Sequence, residues 1–364
     1  MTTTTLATAS RVQKWDAQYF AEYIRNSGFK PYMGTGPNSI FNVKYELTSG
    51  GKTINVPLVS RLTGAGVTGS TALVGAEEVL NNYNMTVSVD WLRNAVEIKK
   101  PEEHWTEMDL RAAAKDMLMA WSEDKLRDEL IAAMRSIQGV AYVSATEAQK
   151  DAWIDDNTDR VLFGAAKSNL STTAPAGGAT YDHSGSLANV DGTNDKLTPA
   201  AVSLMKRMAK TADPHIRPFK TNDGSGREYY VLFAGSLPFR DLKENTTMQT
   251  ANREARERSV GTNPIFQDGD LIYDGVIIRE IPEIPVLSGV GAGGSVDVGQ
   301  VFLCGAQSVV LAWGQEPKST KKAETDYGFA TGIGIEECRG IAKAVFNSVD
   351  HGMVTGHFAA VADA

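Results

Sequence analysis

The sequence predicts an α+β protein, and three observations carry that expectation. The stretch "HWTEMDLRAAAKDMLMAWSEDKLRDELIAAMRSIQG" repeats apolar residues every three or four positions, the signature of an unusually long helix. "IFNVKYELTSGGKTINVPLVSRLTG" alternates apolar and polar residues on both sides of Ser49-Gly50-Gly51, as a long β-hairpin does. From Leu197 onward, strands and helices follow one another without a regular strand-helix-strand rhythm. The 364 residues are 42% hydrophobic and 22% charged, which allows a sizeable core and roughly two to three domain-sized units.

Taken in order, "SRVQKWDAQYFAEYIRNSG" places Val12, Trp15, Tyr19, Phe20 and Tyr23 at helical spacing, with Ser10 as N-cap and Gly28 as stop. Such a helix has one aromatic face, suited to its own core or to a neighbouring subunit. The hairpin that follows has half-polar faces and is not stable alone in water, so it must lie along another surface. In the long helix, Leu110, Ala114, Met117, Trp121, Leu126, Leu130, Met134 and Ile137 form the apolar stripe. Thr106 with Asp109 resembles a capping box, and Gly139 ends the element. About 33 residues at 1.5 Å each give a strut on the order of 50 Å.

Residues 139–197 are rich in Gly, Ser, Thr, Ala and Asp and read as a surface insertion, with a helix near Trp153 and the apolar "DRVLFGAAKS". "LTPAAVSLMKRMAKTA" predicts a helix, "YYVLFAG" a strand, "FRDLKEN" and "TANREARERS" charged helices, and "DGVIIREIPEIPVL" a strand. "QVFLCGAQSVVLAWG" supplies two buried strands, and "GIAKAVFNSVDHGMVTGHFAAVA" adds further sheet.

Several functions are disfavoured. The apolar run at 300–314 is shorter than the ~20 residues of a spanning helix and is broken by Gly305, Gln307 and Ser308, so no membrane span is expected. "MTTTTLATAS" lacks the charged and apolar regions of a secretory signal, which suggests a cytoplasmic site of synthesis. Cys304 and Cys338 fit reduced thiols. A net charge of −8 argues against a firm grip on nucleic acid, so any DNA contact should be loose.

The motif "GAGVTG", Gly64–Gly69, matches a dinucleotide fingerprint with Asp90 downstream, but no crossover helix and no further βαβ units accompany it. His104, His183, His215, His351 and His357 lack metal-ligand spacing, and His351 and His357 read as exposed sheet residues. Cys304 and Ser308 lack a nucleophile elbow. Asp268, Asp270 and Asp274 in "DGDLIYDG" lack the glycine and closing glutamate of a calcium loop and read as a turn. No catalytic, cofactor or metal site is therefore expected. A strut, a hairpin arm and an aromatic leader instead suit a protein that touches copies of itself.

Several stretches together resemble the major capsid proteins of tailed phages, in particular the N-four-like coliphage type. They are "TINVPLVSRLTGAGVTGSTALVGAEEVL", "DRVLFG", "LTPAAVSLMKRMAK" through "IRPF" to "YYVLFAGSLPFRDLKEN", "NPIFQDGDLIYDGVIIREI", "VFLCGAQSVVLAWG" and "ETDYGFATGIGIEECRGIAKAVFNSVDHGMV". The resemblance implies the Hong Kong 97 fold, with residues 1–40 as N-terminal arm, 41–103 as extended loop with flanking strands, and 104–138 as spine helix of a peripheral domain. It leaves 139–197 as the insertion, and implies 198–315 as mainly axial domain and 316–364 as C-terminal strands returning to the peripheral domain.

It further implies pentamers and hexamers of this chain closing into an icosahedral shell around double-stranded DNA, with no enzymatic activity and no cofactor. Its place would be the virion, after assembly in the host cytoplasm. A separate scaffolding protein and a portal are implied partners, and a decoration protein is compatible with the reading. The expected subunit contacts are Trp15, Tyr19, Phe20 and Tyr23 of the arm, Lys52 and Arg61 of the hairpin, and Arg253, Glu254, Arg256, Glu257 and Arg258 of the axial helices. An encapsulin-like nanocompartment is the near alternative, and a NAD-dependent oxidoreductase built on Gly64–Gly69 the distant one.

Overall fold

A computed structural model describes residues 28–70, 72–75, 77–106, 109–220, 228–254, 271–322 and 329–363. The chain divides into two compact units. One is formed by Asp90–Leu126 with Gln315–Arg339, and the other by Gly28–Val89, Arg127–Gly314 and Gly340–Ala364.

The second, larger unit is organised by a mixed sheet whose main path runs Val161–Phe163, Met353–Ala359, Val298–Cys304, Glu228–Ala234, Val276–Glu280, Leu271–Tyr273. Val298–Cys304 is antiparallel to both of its neighbours, whereas Val276–Glu280 runs parallel to Glu228–Ala234. Every residue of Val298–Cys304 and of Met353–Ala359 is buried. That burial on both faces is why neither strand alternates apolar with exposed polar residues, and their polar side chains Gln300, Thr355 and His357 are buried as well.

Helix Pro199–Thr211 covers one face, starting at Thr198, whose hydroxyl accepts the Ala201 N–H, and at Pro199, whose missing N–H costs nothing in a first turn. Its Val202, Met205 and Met208 pack with Leu232, Val301, Val354 and Phe358. A second apolar cluster joins Ile137, Trp153, Ile154, Phe163 and Val298.

In the first unit, Asp90–Lys99 is antiparallel to Ala330–Arg339 over ten residue pairs. Ser122, on the long helix, donates to Glu337 Oε2 at 3.0 Å, and Glu337 in turn pairs with Arg339 at 2.7 Å, all three buried. Asp90–Lys99 is the edge of its sheet. The side chains of Asp90 and Asn94 accept the N–H groups of Trp91 and Ala95, which occupies donors that would otherwise recruit another strand.

The structure differs from the sequence expectation in four places. The strut of 104–138 is divided into Lys100–Trp105 and Leu110–Arg135: the backbone is extended at Thr106, and Asp109 accepts the N–H groups of Arg111 and Ala112 at the start of the second helix. The 26-residue main helix is about 39 Å long. The hairpin does not close at Ser49–Gly51. Phe41–Lys44 joins Val309–Ala312 and Met33–Gly34 in parallel, burying Phe41 and Val43, and Thr53–Val59 pairs with Asn82–Ser88.

Residues 139–197 are not wholly superficial, since Trp153, Ile154 and Val161–Phe163 are core and Val161–Phe163 is a strand of the main sheet. The C-terminal strands separate: Ala330–Arg339 belongs to the first unit, and Met353–Ala359 lies inside the main sheet of the second.

Candidate assembly surfaces

The hairpin Thr53–Val59/Asn82–Ser88 alternates half-buried and exposed residues. One face aligns Ile54 with Val87, Val56 with Met85 and Leu58 with Tyr83, and the other pairs Asn55 with Thr86 through a 2.8 Å hydrogen bond. Its base is held where the Val345 N–H points at Met85 Sδ, 3.4 Å away. Among the described residues of 60–81 there is no helix, which removes the crossover that a dinucleotide site at Gly64–Gly69 needs.

The Glu78 carboxylate closes this tip by accepting the N–H groups of Thr63 at 2.6 Å and Gly64 at 2.7 Å. Those backbone hydrogen bonds hold its carboxyl below the usual carboxylate range. Gly64 lets the carboxylate approach this closely, since a Cβ would lie 2.6 Å from Glu78 Oε2 and the Glu78 side chain would have to shift. The tip exposes Leu62, Leu73, Leu80, Val79 (76% exposed) and Val74 (88% exposed). Such an apolar run in water marks an interaction surface.

Lys52 and Arg61 flank the same hairpin strand. Lys52 is exposed and its carbonyl accepts the Val89 N–H, while Arg61 pairs with Asp213 at 2.9 Å in an exposed contact. Beside Arg61 a groove of about 540 Å³ is lined by Tyr83, Pro214, His215, Phe346 and His351. Arg253 and Glu254 end the helix Thr246–Glu254. Trp15, Tyr19, Phe20, Tyr23, Arg256, Glu257 and Arg258 lie outside the described residues.

Two exposed tryptophans were not singled out from sequence: Trp91 at 56% and Trp105 at 76% exposure, both in the first unit. Trp91 sits at an outward position of an alternating strand, a signal that was available. Exposed aromatics of this size are enriched at subunit contacts.

Cys304 and Ser308, the nucleophile candidates of the apolar run, both serve the interior of the sheet. Cys304 is fully buried and its thiol is pushed up to about 12 by that burial, and Ser308 Oγ is 2.6 Å from the Gly352 carbonyl, which it serves as a structural donor. No group of three metal-ligating side chains, and no helix long and apolar enough to cross a membrane, occurs among the described residues. The sequence reading of His351 and His357 as exposed is corrected: His357 is fully buried and His351 partly so.

Comparison with known proteins places the whole chain in a family. The family model described as "Phage capsid protein" matches residues 3–362. The chain belongs to the phage capsid protein family. The major capsid protein of Pseudomonas phage KPP25 is 28% identical over 362 residues, covering 92% of this chain and 89% of the other. The capsid asymmetric unit of cyanophage Pam1 is 41% identical with a TM-score of 0.89, covering all of both chains. The capsid of Ralstonia phage GP4, 21% identical with a TM-score of 0.74 over all of both chains, shares the fold. This capsid protein is thus a phage major capsid protein of the Hong Kong 97 type, a component of the virion and of a multi-copy shell.

Proposed function

We propose that this capsid protein closes as pentamers and hexamers into an icosahedral shell around the double-stranded DNA of a tailed phage, and that its mechanism is assembly without catalysis. The observation that carries the reading is the hairpin tip, whose Leu73, Val74 and Val79 are exposed on the isolated chain and whose backbone is closed by Glu78. An apolar tip on a two-stranded arm gains free energy by docking on a neighbouring copy, at roughly 25 cal/mol per Å² of apolar surface removed from water.

The arm residues Trp15, Tyr19, Phe20 and Tyr23 supply a second contact, and Arg253, Glu254, Arg256, Glu257 and Arg258 pair between subunits around the five-fold and six-fold centres. Lys52 and Arg61 position the hairpin at its neighbour. The net charge of −8 keeps contact with packaged DNA loose. Assembly takes place in the host cytoplasm with a separate scaffolding protein and a portal, and the outer surface accommodates a decoration protein.

The test is replacement of Leu73, Val74 and Val79 together by Ser. Expected is a folded subunit that no longer forms shells by negative-stain microscopy. Shells as abundant and as salt-resistant as wild type would refute the role of the tip.

A further inference from the structure

A buried cluster of ionisable side chains in the larger unit plays no part in these surfaces. Arg135, at the end of the long helix, donates from Nε to Gln300 Oε1 at 2.6 Å. The Gln300 amide nitrogen lies 3.1 Å from His357 Nε2. His357 stacks flat on Phe163, with ring centroids 4.7 Å apart, and meets His183 edge to face at 6.1 Å. His183 Nε2 is 3.1 Å from the Tyr142 hydroxyl, and its Nδ1 is 3.6 Å from Glu147 Oε2. The Arg135 guanidinium and Lys150 Nζ lie over the Tyr142 ring at 5.3 and 5.1 Å, and Asp151 accepts the His183 backbone N–H. Gln300, His183 and His357 are at most 1% exposed.

The chemistry of this chain of contacts fixes its protons. Arg135 can only donate, so the Gln300 oxygen faces it and the amide N–H₂ faces His357. His357 Nε2 must then accept, which makes the imidazole neutral with its proton on Nδ1. A proton on Nε2 would set donor against donor and place a buried positive charge beside Arg135. His183 has different neighbours, the Tyr142 hydroxyl at Nε2 and the Glu147 carboxylate near Nδ1.

We propose that His357 is an acid-operated latch, which ties the end of the long helix and the 139–146 turn to the main sheet while neutral and releases them when protonated. The ionisable groups around it are Arg135 from the helix, Tyr142 from the turn, Glu147, Lys150 and Asp151 from helix Glu147–Asp156, and His183 from His183–Ala188. The flanking strands present Gln300 and Phe163, neither of which is ionisable.

Burial, then the nearby His183 and Arg135, hold the imidazole well below its ordinary value. The sign follows: the released form binds the proton more readily, so the latch is fully closed above about pH 6.5 and its closed-to-open ratio falls about tenfold per pH unit below that.

The experiment is hydrogen–deuterium exchange of the full chain from pH 7.5 to 4.5, corrected for intrinsic exchange, comparing wild type with Q300E and H183Q. Wild type is expected to keep its protection over 130–146 down to about pH 6.5 and to lose it below that, about tenfold per unit. Q300E places a carboxylate between Arg135 and His357, so its profile should be flat over that range, and H183Q should keep the wild-type slope. A wild-type slope in Q300E, or a slope lost only in H183Q, overturns the latch. Side-chain ¹⁵N NMR of histidine-labelled wild type tests the same point without a substitution. It should find His357 neutral with the proton on Nδ1 at pH 6, and a charged ring or the other tautomer would overturn it.

Discussion

The main sheet and the hairpin tip use the same kinds of residue to opposite ends. In Val298–Cys304 and Met353–Ala359 every side chain is buried inside the subunit, whereas Leu73, Val74 and Val79 stand in water on the isolated chain. The sheet has discharged its hydrophobic free energy within one subunit, and on the proposed function the tip keeps its own for a contact between copies. The contrast separates what folds this protein from what assembles it, and substitutions can break the two apart.

The largest expected effect is in the sheet. Phe302→Ala removes a fully buried ring from the middle of Val298–Cys304 and should cost about 3–5 kcal/mol of unfolding free energy by chemical denaturation. A loss below 1 kcal/mol would mean that the core is elsewhere. Next comes the arm: Tyr19→Ala with Phe20→Ala should weaken or abolish shells while leaving the unfolding midpoint unchanged, and particles as stable as wild type would remove the arm from the interface.

A smaller effect belongs to the tip clasp. Glu78→Gln gives up a charged acceptor of the Thr63 and Gly64 N–H groups, so amide exchange at 62–80 should quicken with no change in global stability. Because the Glu78 carboxyl is held below the usual range, wild-type tip order should persist through pH 5 and be lost only as the pH falls through that lowered value. The smallest effect is expected at Arg61→Ala, which breaks an exposed ion pair with Asp213 and should change stability by about 1 kcal/mol or less.

Legibility in the sequence followed the same division. The strands at 298–304 and 309–321, the helix at 199–211 and most of the long helix were readable because burial imposes a composition or a period on them. The hairpin was found but mispaired, since Phe41–Lys44 and Thr53–Val59 are both short alternating runs and nothing local tells either that its partner lies beyond the nearest turn.

Nothing local marks His357 as a buried strand residue, and only the long-range pairing with Val298–Cys304 places it beside Gln300. Glu78 left no mark because its partners are backbone N–H groups, which every residue but proline carries. Assembly itself was legible from an absence of chemistry combined with a resemblance, not from any one residue.

This chain folds by its sheet and, as a capsid protein, functions by joining copies of itself. Negative-stain electron microscopy of the purified chain, alone and co-expressed with its genomic neighbours, tests it most directly. Closed shells, or rings of five and six, are the expected result, with uniform shells depending on the co-expressed scaffold. A monodisperse small oligomer under both conditions would mean that the chain does not assemble through these surfaces.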